Sequence, residues 1–323
     1  MMPHRPPLTP IRTAALMICT RDRPDEIADC LTACASLIKP ADLSIVICVA
    51  DNNAEPQEES IRWSGAGNGL DLHYGHEPRR GYASVRNCAL DLARAAGADI
   101  AIFIDDDSTP DPGLVAEHVD AMLRYGADAI LGRIEGLSQR PQEGRRVTKA
   151  GTGNVSMRRW VFDPTGAGIR FDDRLNLLGF EDWEFFGDLI RSGGLIFQST
   201  RPVSISRPGV DAAPTSPERP YAARRAFAMM EGRNEIAVTR IRHGFPTAAA
   251  KALRRHLPLI ARGLTGVIAA KFSTEHGTGV GRLATETARL RIVRGSAGVG
   301  GLWRPGFERP LARRGELVEL KDL

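Results

Sequence analysis

Three consecutive aspartates, Asp105-Asp106-Asp107, follow the apolar run Ile100-Ala101-Ile102-Phe103-Ile104. Adjacent carboxylates repel one another unless a cation neutralises them. A small set of hard oxygen donors suits Mg2+ or Mn2+, which keep positions open for phosphate oxygens. A metal held there against a diphosphate would neutralise charge as it develops on the leaving group. One such Asp could simply cap a helix starting near Pro112, but three after a buried strand favour chemistry. Asp51 closes a second apolar run and reads two ways, as an acceptor for a base N–H or ribose hydroxyl, or as an Asx turn with Asn52. Thr20 and Arg21 offer a hydroxyl and a forked donor to the same ligand, and Arg80 either does likewise or is a solvated loop arginine. Glu181-Asp182 stands among Phe180, Trp183 and Phe185. Desolvation there would raise a carboxylate's basicity, although acidic residues also favour the first turn of any helix.

The elements that must hold these groups follow from apolar periodicity. Residues 14–19, 43–49 and 100–104 are short continuous apolar runs, the pattern of strands covered on both faces. Residues 25–38 carry Ile27, Cys30, Leu31, Cys34, Leu37 and Ile38 on one helical face. Residues 82–96 do so with Val85, Cys88, Ala89, Leu92 and Ala93, and Leu114, Val115, His118, Val119, Met122 and Leu123 repeat the rule before a strand pattern at 129–134. Alternating strands and helices predict an α/β fold with right-handed crossovers and ligands at the carboxyl ends of parallel strands. Thr20-Arg21-Asp22-Arg23, Asp51-Asn52-Asn53 and the aspartate triplet all stand at such ends. The middle is less regular: a Gly/Arg/Gln-rich loop at 135–146, the Thr152-Gly153-Asn154 segment, a strand pattern at 194–198 and a Pro-rich link at 207–220.

In order, Thr20-Arg21-Asp22-Arg23, Asp51-Asn52, Arg86-Asn87, Asp105-x-Asp107, Gly153-Asn154 and Glu181-Asp182 resemble the motifs of the family 2 inverting glycosyltransferases of GT-A fold, over roughly residues 12–205. The resemblance implies a mostly parallel central sheet flanked by helices, with a helical C-terminal extension. It implies metal-dependent, inverting, hexosyltransferase-type transfer from a nucleotide-sugar donor to a hydroxyl of a glycan or lipid-linked acceptor, in bacterial surface polysaccharide or glycolipid assembly. It makes Thr20, Arg21, Asp51 and Arg80 nucleotide contacts. Asp105 and Asp106 become donor contacts, Asp107 with Asp105 the ligands of Mg2+ or Mn2+, and Asp182 the general base. Glu181 and Trp183 would shape the acceptor pocket, with Asn154 near it. Many relatives carry a histidine after the strand that follows the base; here the stretch reads Ser204-Ile205-Ser206-Arg207.

The rest of the sequence bounds this reading. The 323 residues are 42% hydrophobic and 25% charged, an ordinary globular composition. The expected organisation is a flexible 1–12, a catalytic domain at 13–210 (donor half 13–134, acceptor half 135–210) and a mainly helical basic region at 211–323. Cys19, Cys30, Cys34, Cys48 and Cys88 lack zinc-like spacing and read as buried reduced thiols. With no apolar stretch long enough to span a bilayer and no signal pattern, the expected place is the cytoplasm. Residues 219–271 hold eleven Lys/Arg and two acids with interleaved apolar residues. That stretch suits an anionic membrane surface on the inner face of the plasma membrane, or a solvated helix face on the catalytic domain. Nucleic acid is not indicated, because aromatics are sparse and no recognition motif occurs. Two competing readings remain, a haloacid-dehalogenase-like phosphatase using Asp105-x-Asp107-x-Thr109 and an inactive glycan- or membrane-binding scaffold. No G-x-G-x-x-G follows the first strand, which disfavours a dinucleotide oxidoreductase.

Overall fold

The computed structural model describes residues 5–7, 9–135, 141–206, 221–275, 281–300 and 302. The first half runs β1 (Thr13–Thr20), α1 (Pro24–Cys34), β2 (Ser44–Asp51), α2 (Glu58–Gly67), β3 (Leu72–His76), α3 (Tyr82–Ala95) and β4 (Ile100–Asp105). Then follow β5 (Ser108–Pro110), α4 (Leu114–Arg124), β6 (Ala129–Glu135), β7 (Arg146–Val147), β8 (Asn154–Arg158), α5 (Arg159–Phe162), α6 (Glu181–Arg191) and β9 (Ile196–Ser206). The strands join one sheet in the order β3-β2-β1-β4-β8-β6-β9-β5, with β7 paired to β9. Ladders are parallel across β3, β2, β1 and β4, and β8 enters antiparallel between β4 and β6.

Each central strand is apolar throughout because both faces are covered. Met17, Cys48 and Phe103 pack with Leu90 of α3 and Phe185, Phe186 and Leu189 of α6. Leu16, Ile18, Ile47 and Ile102 pack on the other face with Ile27 and Leu31 of α1 and Leu114 and Met122 of α4. Phe171 stacks on Phe185 at 4.3 Å and meets the edge of Phe103 at 5.9 Å, tying α6 to β4. The chain winds outward from β1 to β3 and returns to β4 on the other side of β1. That reversal opens a crevice at the carboxyl ends of β1 and β4.

Several sequence expectations need correction. α1 stops at Cys34, because Ala35 and Ser36 turn back onto the carbonyls of Thr32 and Ala33. Ile38, expected on the buried face, is exposed, and so is Leu123 at the end of α4. α2 and β3 lie where no element was expected, since β3 is a half-buried edge strand, Leu-His-Tyr-Gly-His, without an apolar run. Asn154 begins a fully buried strand where only an irregular segment was expected. β9 continues to Ser206, beyond the predicted 194–198, and its end pairs antiparallel with β5, Ser206 opposite Ser108.

Among the described residues the chain divides into two compact units, one built of 5–176 with 181–206, the other of 177–180 with the helices from Tyr221 onward. The second holds α7 (Tyr221–Lys251), a π-helical turn (Ala252–His256), α8 (Leu257–Glu275) and α9 (Gly281–Gly300), with a kink in α7 at Gly244 (φ 80°) ahead of Pro246. Its centre buries Glu235 against Arg255 (2.9 Å) and Lys251 (3.5 Å). The expected boundary near 210, the link 207–220, Arg207 and the tip of the 135–146 loop lie outside the described residues. No described helix is long and apolar enough to cross a membrane.

Candidate active site

The crevice is floored by the two strands that the reversal brings together. Cys19 of β1 lies opposite Asp105 of β4, so Thr20 reaches the aspartate triplet and its hydroxyl donates to Asp106 Oδ2 (3.0 Å). Arg23, just before α1, donates from Nη1 to Asp106 Oδ1 (2.8 Å) and to Asp107 Oδ2 (3.0 Å). Asp106 and Asp107 are turned inward while Asp105 is exposed at the strand end. Burial raises the Asp106 carboxyl to about 6; Arg23 and the Thr20 hydroxyl pull it down, and the Asp107 charge pushes it up. Asp22, which precedes Arg23, sits at φ 52°, a left-handed conformation that is strained for a side-chain-bearing residue.

At the next strand Asp51 is fully buried, and both oxygens have internal work. Oδ1 accepts from Asn53 N–H (2.8 Å), and Oδ2 accepts from Gln57 N–H (2.7 Å) and the Tyr74 hydroxyl (2.7 Å). The Asx-turn alternative is therefore realised, and Asp51 shapes the loop after β2. Arg21 lies over that loop, donating to the Asn52 carbonyl (2.6 Å). Arg80 is exposed on the loop before α3.

The acceptor side is set by the start of α6. Phe180, at φ 67°, is the second described non-glycine residue with positive φ, and it stands directly before Glu181-Asp182. Glu181 is buried and ion-paired with Arg86 of α3. The Arg86 guanidinium lies 5.5 Å from the Tyr82 ring and 5.7 Å from the Phe171 ring. Burial works against the Arg86 charge, but the carboxylates of Glu181, Asp182 and Asp105 around it raise its pKa above that of a free arginine. Asp182 is half-buried and accepts from Trp183 N–H (2.7 Å), and Lys149 Nζ sits 4.1 Å from the Trp183 ring centre.

One segment links the two halves. A Cβ built on Gly151 would lie 3.5 Å from Asp182 Oδ2, and one built on Gly153 would lie 2.8 Å from Asp105 Oδ2. Two residues span at most about 7 Å of chain, so the base candidate and the exposed aspartate flank one short stretch whose missing side chains let both carboxylates approach its backbone. Asn154 does not face that space. Its Nδ2 donates to the carbonyls of Arg133 (2.8 Å) and Pro202 (3.1 Å), which leaves Oδ1 to accept from Nε2 of buried His118 (2.7 Å). It anchors the strand rather than the acceptor.

No three His, Cys, Asp or Glu side chains among the described residues are grouped to hold a metal. Mg2+ and Mn2+ bind through one or two carboxylates when substrate phosphates complete the shell, so the donor set fits through the exposed carboxylate of Asp105, which packs closely against Gly153. Asp107 carries Arg23 on Oδ2. Arg23 was read only as part of the charged end after β1, with no role of its own, and Gly151 and Lys149 were not singled out in the sequence; the glycine spacing was the one available signal for them.

Comparisons with known proteins bear on the whole arrangement. The family model described as glycosyl transferase family 2 matches residues 15–180, 166 of the 323, ending at the residue before Glu181. The succinoglycan biosynthesis protein ExoM of Rhizobium meliloti (strain 1021) is 28% identical over 196 residues, 55% of this chain and 62% of that protein. The match therefore spans less than two thirds of that relative. The structure of the mannosyltransferase PcManGT from Pyrobaculum calidifontis, in complex with GDP-Man and Mn2+, superposes with a TM-score of 0.58 at 18% identity, covering 93% of this chain and 89% of that one. S. aureus TarS gives 0.50 at 13% identity, with 90% and 54% covered. At these identities the structures establish the fold.

Proposed function

The chain belongs to glycosyl transferase family 2, and from that membership we propose that it moves a sugar from a nucleotide-sugar donor to a hydroxyl of a glycan or lipid-linked acceptor, with inversion at the anomeric carbon. The observation that carries this reading is the pair Asp105 and Asp182 facing opposite ends of Gly151-Thr152-Gly153. A donor lying along the crevice would leave its anomeric carbon over that segment, with the acceptor hydroxyl at Asp182. The Asp182 carboxylate takes the hydroxyl proton, the oxygen attacks the anomeric carbon in line, and the bond to the diphosphate breaks on the opposite side. The nucleoside diphosphate leaves with the electron pair. Mg2+ or Mn2+ held by Asp105 and Asp107 would supply charge neutralisation at that leaving group.

The remaining residues prepare this geometry. Thr20 and Asp106 set the crevice floor, Arg21 and Arg80 form the nucleotide end at the loop that Asp51 shapes, and Glu181 and Trp183 frame the acceptor. Arg86 holds Glu181 and thereby the first turn of α6. The name of the Rhizobium relative supports a role in surface polysaccharide or glycolipid assembly, and GDP-Man in the archaeal enzyme supports a hexosyl nucleotide as donor. A cytoplasmic site, peripheral on the inner face of the plasma membrane, suits a lipid-linked acceptor. Leu253, Leu257 and Leu264 are exposed beside exposed Arg254, Arg255 and Arg262, the composition of an interfacial helix. No observation favours nucleic acid.

The test is a thermal-shift screen of sugar nucleotides with and without Mn2+, since a selective ligand stabilises by mass action. The stabilising donor is then incubated with candidate acceptors and the product linkage read by NMR. An inverted anomeric centre is expected. A retained one would remove the single-displacement mechanism, and metal-dependent hydrolysis of phosphomonoesters without any sugar-nucleotide effect would replace the reading with a phosphatase.

A further inference from the structure

We infer that Arg23 is a resident counter-ion for Asp106 and Asp107 in the donor-free protein and that it couples entry of the divalent cation to arrival of the diphosphate. The inference rests on the metal reading above and concerns a residue to which that reading gives no role. A single Arg23 nitrogen sits 2.8 Å from Asp106 and 3.0 Å from Asp107, carboxylates whose side chains are 6% and 3% exposed. Two charges this deep repel each other strongly without a cation, and a guanidinium that remains ionised at all relevant pH supplies one.

The backbone places it there. Arg23 itself is non-helical (φ −139°, ψ 61°) and its side chain makes no capping bond to α1. Asp22 is held at φ 52° with its N–H on Asn53 Oδ1 (2.6 Å), so the loop after β2 clamps the loop that carries Arg23. Such local strain persists only where surrounding structure over-determines it.

The consequence is competition for one carboxylate. Asp107 Oδ2 carries the guanidinium, and a divalent cation approaching the same group must displace or face a fixed positive charge. A diphosphate changes the balance, because its oxygens offer the planar fork of Arg23 a bidentate alternative. Arg23 then moves from carboxylate to phosphate as the metal takes Asp107. Metal and nucleotide therefore enter together, and the site does not fill with free cation.

Water-proton relaxation enhancement reads Mn2+ bound to the slowly tumbling protein, with Mn2+ alone and with UDP or GDP as probes. The wild type should bind Mn2+ weakly alone and more tightly with the matching nucleotide. Arg23→Gln should bind Mn2+ alone about tenfold more tightly than wild type, and its nucleotide affinity should fall. Arg23→Lys keeps the charge but loses the fork, so its affinity for Mn2+ alone should lie between the two; it also serves if the Gln variant fails to fold. If neither variant gains affinity for free Mn2+ while nucleotide still promotes Mn2+ binding, the metal reading stands and the role of Arg23 is overturned. If no protein binds Mn2+ even with nucleotide, the metal reading fails and this inference with it.

Discussion

A Cβ on Gly153 would lie 2.8 Å from Asp105 Oδ2, closer than side chains tolerate, whereas one on Gly151 would meet Asp182 Oδ2 at an ordinary 3.5 Å. The two glycines therefore predict different outcomes. Gly153→Ala should displace Asp105 and lower kcat/KM for the donor by at least about tenfold, while Gly151→Ala should be milder. Steady-state kinetics against donor concentration separates them, and equal losses would argue that the segment matters only for folding. Asp182→Asn removes the proton acceptor and should reduce kcat by about 10² to 10⁴, with donor affinity nearly unchanged. Turnover retained in that variant would remove Asp182 as the base. At this scale the sequence was legible for position, since the aspartate triplet does stand at the end of β4. It was not legible for Asp51 and Asn154. A buried carboxylate and a buried amide serve loops and strands as readily as ligands, and only their hydrogen bonds tell which.

Two of the buried polar links among the described residues couple elements of the site. Arg86 of α3 pairs with Glu181 of α6, and both are largely shielded from water. Arg86→Met leaves a buried carboxylate without its partner and should cost about 3–5 kcal/mol, readable in urea unfolding. Arg86→Met with Glu181→Met should recover part of that loss, because no charge remains unpaired. The second link, His118 to Asn154, joins α4 to β8. Burial lowers the His118 pKa to about 4, against the hydrogen bond that Nε2 donates to Asn154 Oδ1, which raises it. An unfolded histidine titrates near 6.5, so between about pH 4 and 6.5 the unfolded chain binds a proton that the folded chain does not. Stability should fall as pH drops through that window, with a slope approaching ~1.4 kcal/mol per pH unit from this group. His118→Gln keeps a donor for Asn154 and should flatten that slope; an unchanged pH profile would place the proton elsewhere.

On the scale of the whole molecule, the proposed surface role of residues 219–271 has a direct test. Binding to vesicles containing phosphatidylserine should weaken with added salt, each basic residue near the surface contributing roughly 1 kcal/mol. Leu257→Asp should weaken it further, and binding equal on neutral vesicles would remove the electrostatic part. The sequence by itself determined the βα alternation, the strand ends that carry charge and the family resemblance, because a strand buried on both faces must be apolar throughout and its first polar residues mark its end. It did not yield β3, the full length of β9 or the buried strand at Asn154, whose residues are apolar only in part and owe their place to neighbouring strands. The meeting of Thr20 and Arg23 with the aspartates, and of Asp105 and Asp182 across two glycines, was decided by tertiary structure alone. Strand order and crossover bring those residues together from 75 or more positions apart, and no local pattern encodes such a distance.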